Sequence, residues 1–205
     1  TWNSCGGDCK VYPKERETMT ELATKVIAGD PRSIARLITL VENDAPEEVE
    51  TMKQIHPHTG QASVIGITGV MGSGKSSLIL ELALAYRAEG KKVGIIAIDP
   101  TSPFSGGALL GDRIRMMELS TDDGVFIRSM AAGRHLGGLA GRSRNCLVVL
   151  EAAYDRVLIE TTGVGQSETE IEQVADSVVY VVQPGSVDSL QFMEAVMMLI
   201  PDQLV

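Results

Sequence analysis

The sequence predicts an α/β fold: a mostly parallel sheet covered by helices on both faces, preceded by a small helical N-terminal extension. Three observations carry that expectation. Five short apolar runs, Ser63–Thr68, Val93–Ile98, Val125–Arg128, Arg156–Glu160 and Ser177–Val182, read as strands. Helical patterns lie between most of them, and strands this apolar belong to sheets buried on both faces, as parallel sheets are. Before residue 61 the periodicity is helical, and His56-Pro-His-Thr-Gly60 reads as a polar linker. Residues 1–60 are therefore expected to form the extension and linker, and residues 61–205 the sheet domain.

Each element has its own local signal. From Glu17 to Ile27, Met19, Leu22 and Val26 share a helical face, and Gly29 is a stop. Asp30-Pro31 supplies an N-cap followed by proline at the first helical position, and Ile34, Leu37, Ile38 and Val41 continue as a stripe. Pro46–Ile55 is a weaker third helix. Further on, Lys75–Ala88, Leu109–Ser120, Arg144–Ala153, Glu168–Ala175 and Asp188–Ile200 carry helical patterns.

Composition narrows the function classes. A chain of 205 residues, 44% hydrophobic and 22% charged, suits one folded α/β domain with an extension. Acidic residues outnumber basic ones, 27 to 18, for a formal charge of -9, which argues against a nucleic-acid partner. Apolar runs such as Val178–Val182 are too short for membrane spans, and no secretory pattern is visible, so no membrane partner is expected. Three cysteines suit a reducing compartment, and the cytoplasm is the expected location. The opening Thr1, where a start would have Met, leads us to expect sequence upstream.

Gly69-Val-Met-Gly-Ser-Gly-Lys-Ser76 fits the phosphate-loop pattern G-x-x-x-x-G-K-[ST], with a strand before it and a helix from Ser77 after it. Gly69, Gly72 and Gly74, with Val70, Met71 and Ser73 between them, let backbone N–H groups wrap phosphate without Cβ obstruction. Lys75 would reach the β- and γ-phosphates, and the Ser76 hydroxyl would hold Mg²⁺. The competing reading, a glycine-rich turn with an exposed lysine, explains neither the strand nor the helix. Asp99 ends the second strand, where a carboxylate binds Mg²⁺, orients water or caps the following turn. The small-residue loop Thr101–Asp112 is the usual material of a nucleotide switch. Glu160 ends another apolar strand and resembles a metal-holding Walker B acid, while Gly163 offers a close backbone N–H to γ-phosphate.

Other features have blander explanations. Cys5 and Cys9, with three residues between them and lacking a second pair, make a weak metal motif. His56 and His58 are expected at the surface, and Cys146 in the core. Arg134, His135, Arg113 and Arg115 are consistent with nucleotide contact or with a solvated surface. Met193, Met197 and Met198 recur at helical spacing, as core filler does.

Several motifs in order point to one family. Gly69–Ser77, Asp99-Pro-Thr-Ser, Ser105–Met116, His135-Leu-Gly-Gly138 and Glu160–Ser167 resemble the MeaB/ArgK family of P-loop GTPases, over roughly Ser33 to Val205. The resemblance implies GTP and GDP as ligands, Mg²⁺ as cofactor and slow hydrolysis. It also implies an adenosylcobalamin-dependent acyl-CoA mutase, such as methylmalonyl-CoA mutase, as partner, loaded or protected by the GTPase as chaperone. Lys75 and Ser76 match the family's phosphate and Mg²⁺ residues, and the nucleotide-binding stretch extends to Ser77. Asp99, Asp112 and Glu160 match acidic residues around the metal and the attacking water, and Gly163 falls in the second switch. Gln183–Gln191 matches a third switch facing the mutase.

Where the family usually has lysine after this segment, the chain has Glu194. The family continues beyond the position of Val205 through one more apolar strand into Asn/Thr-Lys-x-Asp, which recognises guanine, and into dimerisation helices. The chain is therefore expected to be truncated, and a homodimer is expected for the longer protein. Some relatives carry the older label of kinases or ATPases of a lysine/arginine/ornithine transport system. An ATP-dependent kinase is one alternative reading, and a nickel-type metal-delivery GTPase is another.

Overall fold

A computed structural model of the chain describes residues 18–70, 72–99, 119–131, 142–161, 171–182 and 202–205. Three helices come first: α1 (Met19–Ala28), α2 (Pro31–Glu42) and α3 (Glu48–Ile55). Thr18 caps α1 by accepting from the Glu21 N–H, while the Glu21 side chain accepts from the Thr18 N–H, a reciprocal capping box. Gly29 ends α1 at φ 86°, and Asp30 caps α2 by accepting the Ser33 N–H at 2.8 Å, with Pro31 at the first position. Leu22 and Val26 of α1, and Ile34, Leu37, Ile38 and Val41 of α2, are buried on the faces that periodicity assigns them. The third helix starts at Glu48 rather than Pro46, and the expected linker is partly ordered, since His56–His58 form a 3₁₀ turn. Both histidines are exposed.

The sheet contains β1 (Ser63–Thr68), β2 (Val93–Asp99), β3 (Val125–Ala131), β4 (Arg156–Thr161), β5 (Ser177–Tyr180) and β6 (Gln203–Leu204). Helix α4 (Lys75–Ala88) follows β1, and α5 (Arg142–Glu151) precedes β4. The strand order is β3-β2-β4-β1-β5-β6, and every pairing is parallel. Strand alternation sorts the core into two layers. Ile67, Ile95 and Leu158 pack with Ile79 and Ala83 of α4. Val64, Ile96, Val157 and Ile159 pack on the opposite side with Leu147 and Leu150 of α5, and that cluster also takes in the buried stripes of α1 and α2. The N-terminal helices thus share a core with the sheet. Arg128 of β3 pins this layer from below by an ion pair with Glu42 of α2. Cys146 is buried in the same layer, which pushes its thiol up to about 12, chiefly through desolvation.

The strands' amino-terminal edge has a repeated device that periodicity does not reveal. Asp155, Asp176 and Asp202 immediately precede β4, β5 and β6. Each donates its N–H to a neighbouring residue's carbonyl and accepts that same residue's N–H on its carboxylate. The partners are Lys92 (3.0 and 2.7 Å), Val64 (2.8 and 2.8 Å) and Val178 (2.9 and 2.8 Å). The carboxylates satisfy N–H groups at the sheet's edge and set the register of strands far apart in sequence. Among the described residues, no helix is long and apolar enough to cross a membrane.

Another aspartate secures the far end of α4. Asp122 accepts from Arg87 Nε and Nη2 at 2.9 and 2.8 Å and from the Gly124 N–H at 2.8 Å. The Arg87 hydrogen bond and then the Gly124 N–H hold its carboxyl below the ordinary 3.8. A lowered folded pKa means a contribution present above that value and lost as pH falls through the folded pKa. Asp122→Asn is therefore expected to lower stability at pH 7, by no more than about 1 kcal/mol because the pair is partly solvated. The variant and parent should converge in acid; urea midpoints that differ equally at both pH values would refute this assignment.

Candidate functional site

The carboxyl end of β1 runs directly into the glycine loop, and the loop runs directly into α4. Gly69 sits at φ 136°, where side chains are strained, and a Cβ there would overlap the Val181 carbonyl oxygen. The adjacent Val181 N–H donates to the Thr68 carbonyl at 2.9 Å, so the loop leaves the sheet pressed against the end of β5. Gly74 caps α4 at φ 102° with no side-chain cap, leaving the first-turn N–H groups directed towards the loop's mouth. Gly69→Ala is accordingly expected to weaken nucleotide binding by roughly 5- to 150-fold, since strain of this kind costs roughly 1–3 kcal/mol. Unchanged affinity in a fluorescent-nucleotide titration would show that the loop tolerates the side chain.

Lys75 is buried at 6% exposure, and its Nζ donates to the carbonyls of Gly69 and Val70, both at 2.9 Å. The loop therefore curls around its own cation. Ser76, one residue on, donates from Oγ to Glu160 Oε1 at 2.6 Å. Glu160 lies near the carboxyl end of β4 at 9% exposure, so the carboxylate and the first turn of α4 face each other beside the loop. The Ser73 hydroxyl is buried with no hydrogen-bond partner, a polar atom in the loop that water or ligand would satisfy. Ser77 is exposed on the first turn.

Asp99 is the last residue of β2, in register with Ala131, at the same carboxyl edge. Met71, Asp112 and Gly163 lie outside the described residues, as do Cys5, Cys9, Arg113, Arg115, Arg134, His135, Glu194 and the segment 183–191. Of the expected helices, 188–200 also lies outside them, and 109–120 is described only at its end, where Leu119–Thr121 form a 3₁₀ turn. Among the described residues, no group of three or more His, Cys, Asp or Glu could hold a metal ion. A hydroxyl beside one carboxylate is a donor set that suits Mg²⁺ shared with phosphate oxygens, because Mg²⁺ takes few protein ligands and keeps its waters. Thr68 and Thr161, which end β1 and β4, are missing from the sequence-based site. Their hydroxyls meet at 2.8 Å beneath the loop. The available signal was a polar residue closing each apolar strand.

A parallel sheet with a glycine loop leading into a helix, a lysine folded back under that loop and a serine held by an acid on a neighbouring strand define a P-loop nucleotide-binding domain. The chain belongs to the MeaB family: the family profile described as "Methylmalonyl Co-A mutase-associated GTPase MeaB" matches residues 34–205. A Pyrococcus abyssi protein named as a GTPase is 53% identical over 183 residues, which cover 89% of this chain and 56% of that protein. GTPase ArgK of Escherichia coli is 36% identical over 193 residues, covering 92% of this chain and 58% of its own length. The crystal structure of an LAO/AO transport system kinase superposes with a TM-score of 0.66 at 30% identity, covering 81% of this chain and 50% of that one. The chain thus spans just over half the length of these curated relatives.

Proposed function

We propose that this chain binds GTP with Mg²⁺, hydrolyses it, and uses the nucleotide state to gate an adenosylcobalamin-dependent acyl-CoA mutase of the methylmalonyl-CoA mutase type. The observation that carries the reading is the loop 69–76 closed around Lys75, with Ser76 held by Glu160. In this reading the loop's N–H groups, from Gly69 to Ser77, grip the β-phosphate. Lys75 exchanges its two backbone carbonyls for β- and γ-phosphate oxygens. Ser76, Asp99 and Glu160 would hold the metal, and family resemblance would give Asp112, with Asp99, a role towards the attacking water and Gly163 a backbone N–H for the γ-phosphate. Mg²⁺, when bound, neutralises charge that develops on the phosphates. The chemistry left to the protein is positioning: few groups change protonation, and the barrier falls because nucleotide and water are held in line.

The mutase partner, the cytoplasmic location and a homodimer of the longer protein are part of the same proposal, supported by family membership. The test is phosphate release from GTP and from ATP with Mg²⁺ present. Free phosphate from GTP, accelerated or suppressed by an added acyl-CoA mutase, is the expected result. Phosphate transferred to an added acceptor would replace the reading with a kinase. Stoichiometric Ni²⁺ binding that requires Cys5 and Cys9 would replace it with metal delivery.

A further inference from the structure

We infer that Thr68 and Thr161 are a positioning pair, a buried hydroxyl bridge that sets where the β4 carboxylate stands relative to the phosphate loop. The inference deepens the GTPase reading and rests on it. Register pairs between β1 and β4 run from Ser63↔Arg156 to Ile67↔Glu160 and end there. Thr68 and Thr161 follow that last pair, each still paired with its outer neighbour, Thr68 with Tyr180 of β5 and Thr161 with Ile98 of β2. The phosphate loop leaves from β1 and Glu160 belongs to β4, so their separation at the carboxyl edge depends on what joins these two strands past the Ile67–Glu160 pair.

Two side-chain hydrogen bonds hold the end of β4, one on each face of the sheet. Ile67, in register with Glu160, belongs to the core layer under α4, where Ser76 donates to Glu160. Alternation places Thr68 and Thr161 on the other face, where Thr161 Oγ1 donates to Thr68 Oγ1 at 2.8 Å. Both threonines are buried, at 2% and 0% exposure. The backbone ladder fixes the strands up to that pair, and bonds on opposite faces add resistance to tilting of the β4 end. A valine pair would fill the same space but could approach only to carbon contact, about 3.5–4.0 Å, which parts the strand ends and turns Glu160 away from Ser76. Displacements on the order of 1 Å at reacting groups are enough to slow a positioned reaction.

The test compares Thr161→Val, Thr161→Ser, Thr68→Val and the double valine variant with the parent. Two quantities are read: GDP affinity without Mg²⁺, and single-turnover GTP hydrolysis across a Mg²⁺ titration. Thr161→Val is expected to slow hydrolysis about tenfold and to raise the Mg²⁺ midpoint, with GDP affinity within about twofold of the parent. Thr161→Ser, which keeps the hydroxyl, should recover most of the rate, and the double variant should be no slower than either single one because one bond is lost in each. Full hydrolysis in a Thr161→Val protein that only melts earlier would overturn the inference, as would equal losses in GDP affinity and rate. Should Thr161→Val fail to fold, Thr68→Val carries the same expectation. A parent that neither binds nor hydrolyses GTP overturns the GTPase reading itself, whereas an active parent with unaffected variants overturns the positioning pair alone.

Discussion

Lys75→Ala will lower GTP affinity by roughly 30- to 1000-fold, corresponding to about 2–4 kcal/mol, the scale of losing a charged hydrogen-bond donor in a desolvated site. Its surroundings show why the loss should be large. The ammonium is buried at 6% exposure and already desolvated, so it engages phosphate without first shedding a full water shell. Without nucleotide it bonds the Gly69 and Val70 carbonyls, so alanine also leaves those two acceptors without that donor. Two effects should therefore separate in calorimetry and melting experiments. The nucleotide-free protein should melt slightly lower, by an amount typical of one or two lost hydrogen bonds, and the stabilisation gained on adding GTP should nearly vanish. Arginine should not rescue binding, because a planar guanidinium fork cannot stand in for the compact ammonium that bonds both loop carbonyls. Equal affinity of variant and parent would remove the phosphate-loop assignment and with it the whole site.

The parts of this structure that sequence alone makes legible are those controlled by neighbours along the chain. The bounds of β1 and α4 coincide with the runs Ser63–Thr68 and Lys75–Ala88, because a strand ending in a glycine loop and a helix beginning at its lysine are local statements. The Asp30-Pro31 start of α2 and the Gly29 stop of α1 are equally local. What periodicity cannot supply is pairing across long separations. The order β3-β2-β4-β1-β5-β6 places Glu160 beside Ser76 across 84 residues, and nothing in either segment alone says so. The Asp155, Asp176 and Asp202 clamps look like ordinary turn aspartates until their partners are known. β6 is two residues long, below the length at which alternation has meaning. Thr68 and Thr161 are illegible for a related reason: a threonine at a strand end is an ordinary strand residue, and only the parallel pairing of β1 with β4 brings the two hydroxyls together.

Glu160→Gln will slow Mg²⁺-dependent GTP hydrolysis by about 100-fold, roughly 2.7 kcal/mol on the barrier, while leaving GDP affinity without Mg²⁺ within about threefold. The substitution isolates charge from shape. Glutamine keeps the length of the side chain, and its amide oxygen can still accept the Ser76 hydroxyl that Glu160 Oε1 accepts at 2.6 Å, so β4 and the first turn of α4 stay in place. What disappears is the negative charge at a site only 9% exposed, where little water screens it and its attraction for a divalent cation is correspondingly strong. The loop N–H groups and Lys75 come from the glycine loop and α4 rather than from β4, which is why diphosphate binding should survive. Asp99→Asn, at the end of β2, should act in the same direction, since its strand shares the carboxyl edge with β4. Single-turnover rates at saturating nucleotide, measured across a Mg²⁺ titration, separate a raised metal midpoint from a lowered maximal rate. The rate should fall most at low Mg²⁺ and recover in part as Mg²⁺ rises, because a site that has lost one anionic ligand can still be filled by mass action. An undiminished rate in Glu160→Gln at every Mg²⁺ concentration would make Glu160 a cap for Ser76 and nothing more, and the metal would have to be held by groups elsewhere in the cleft.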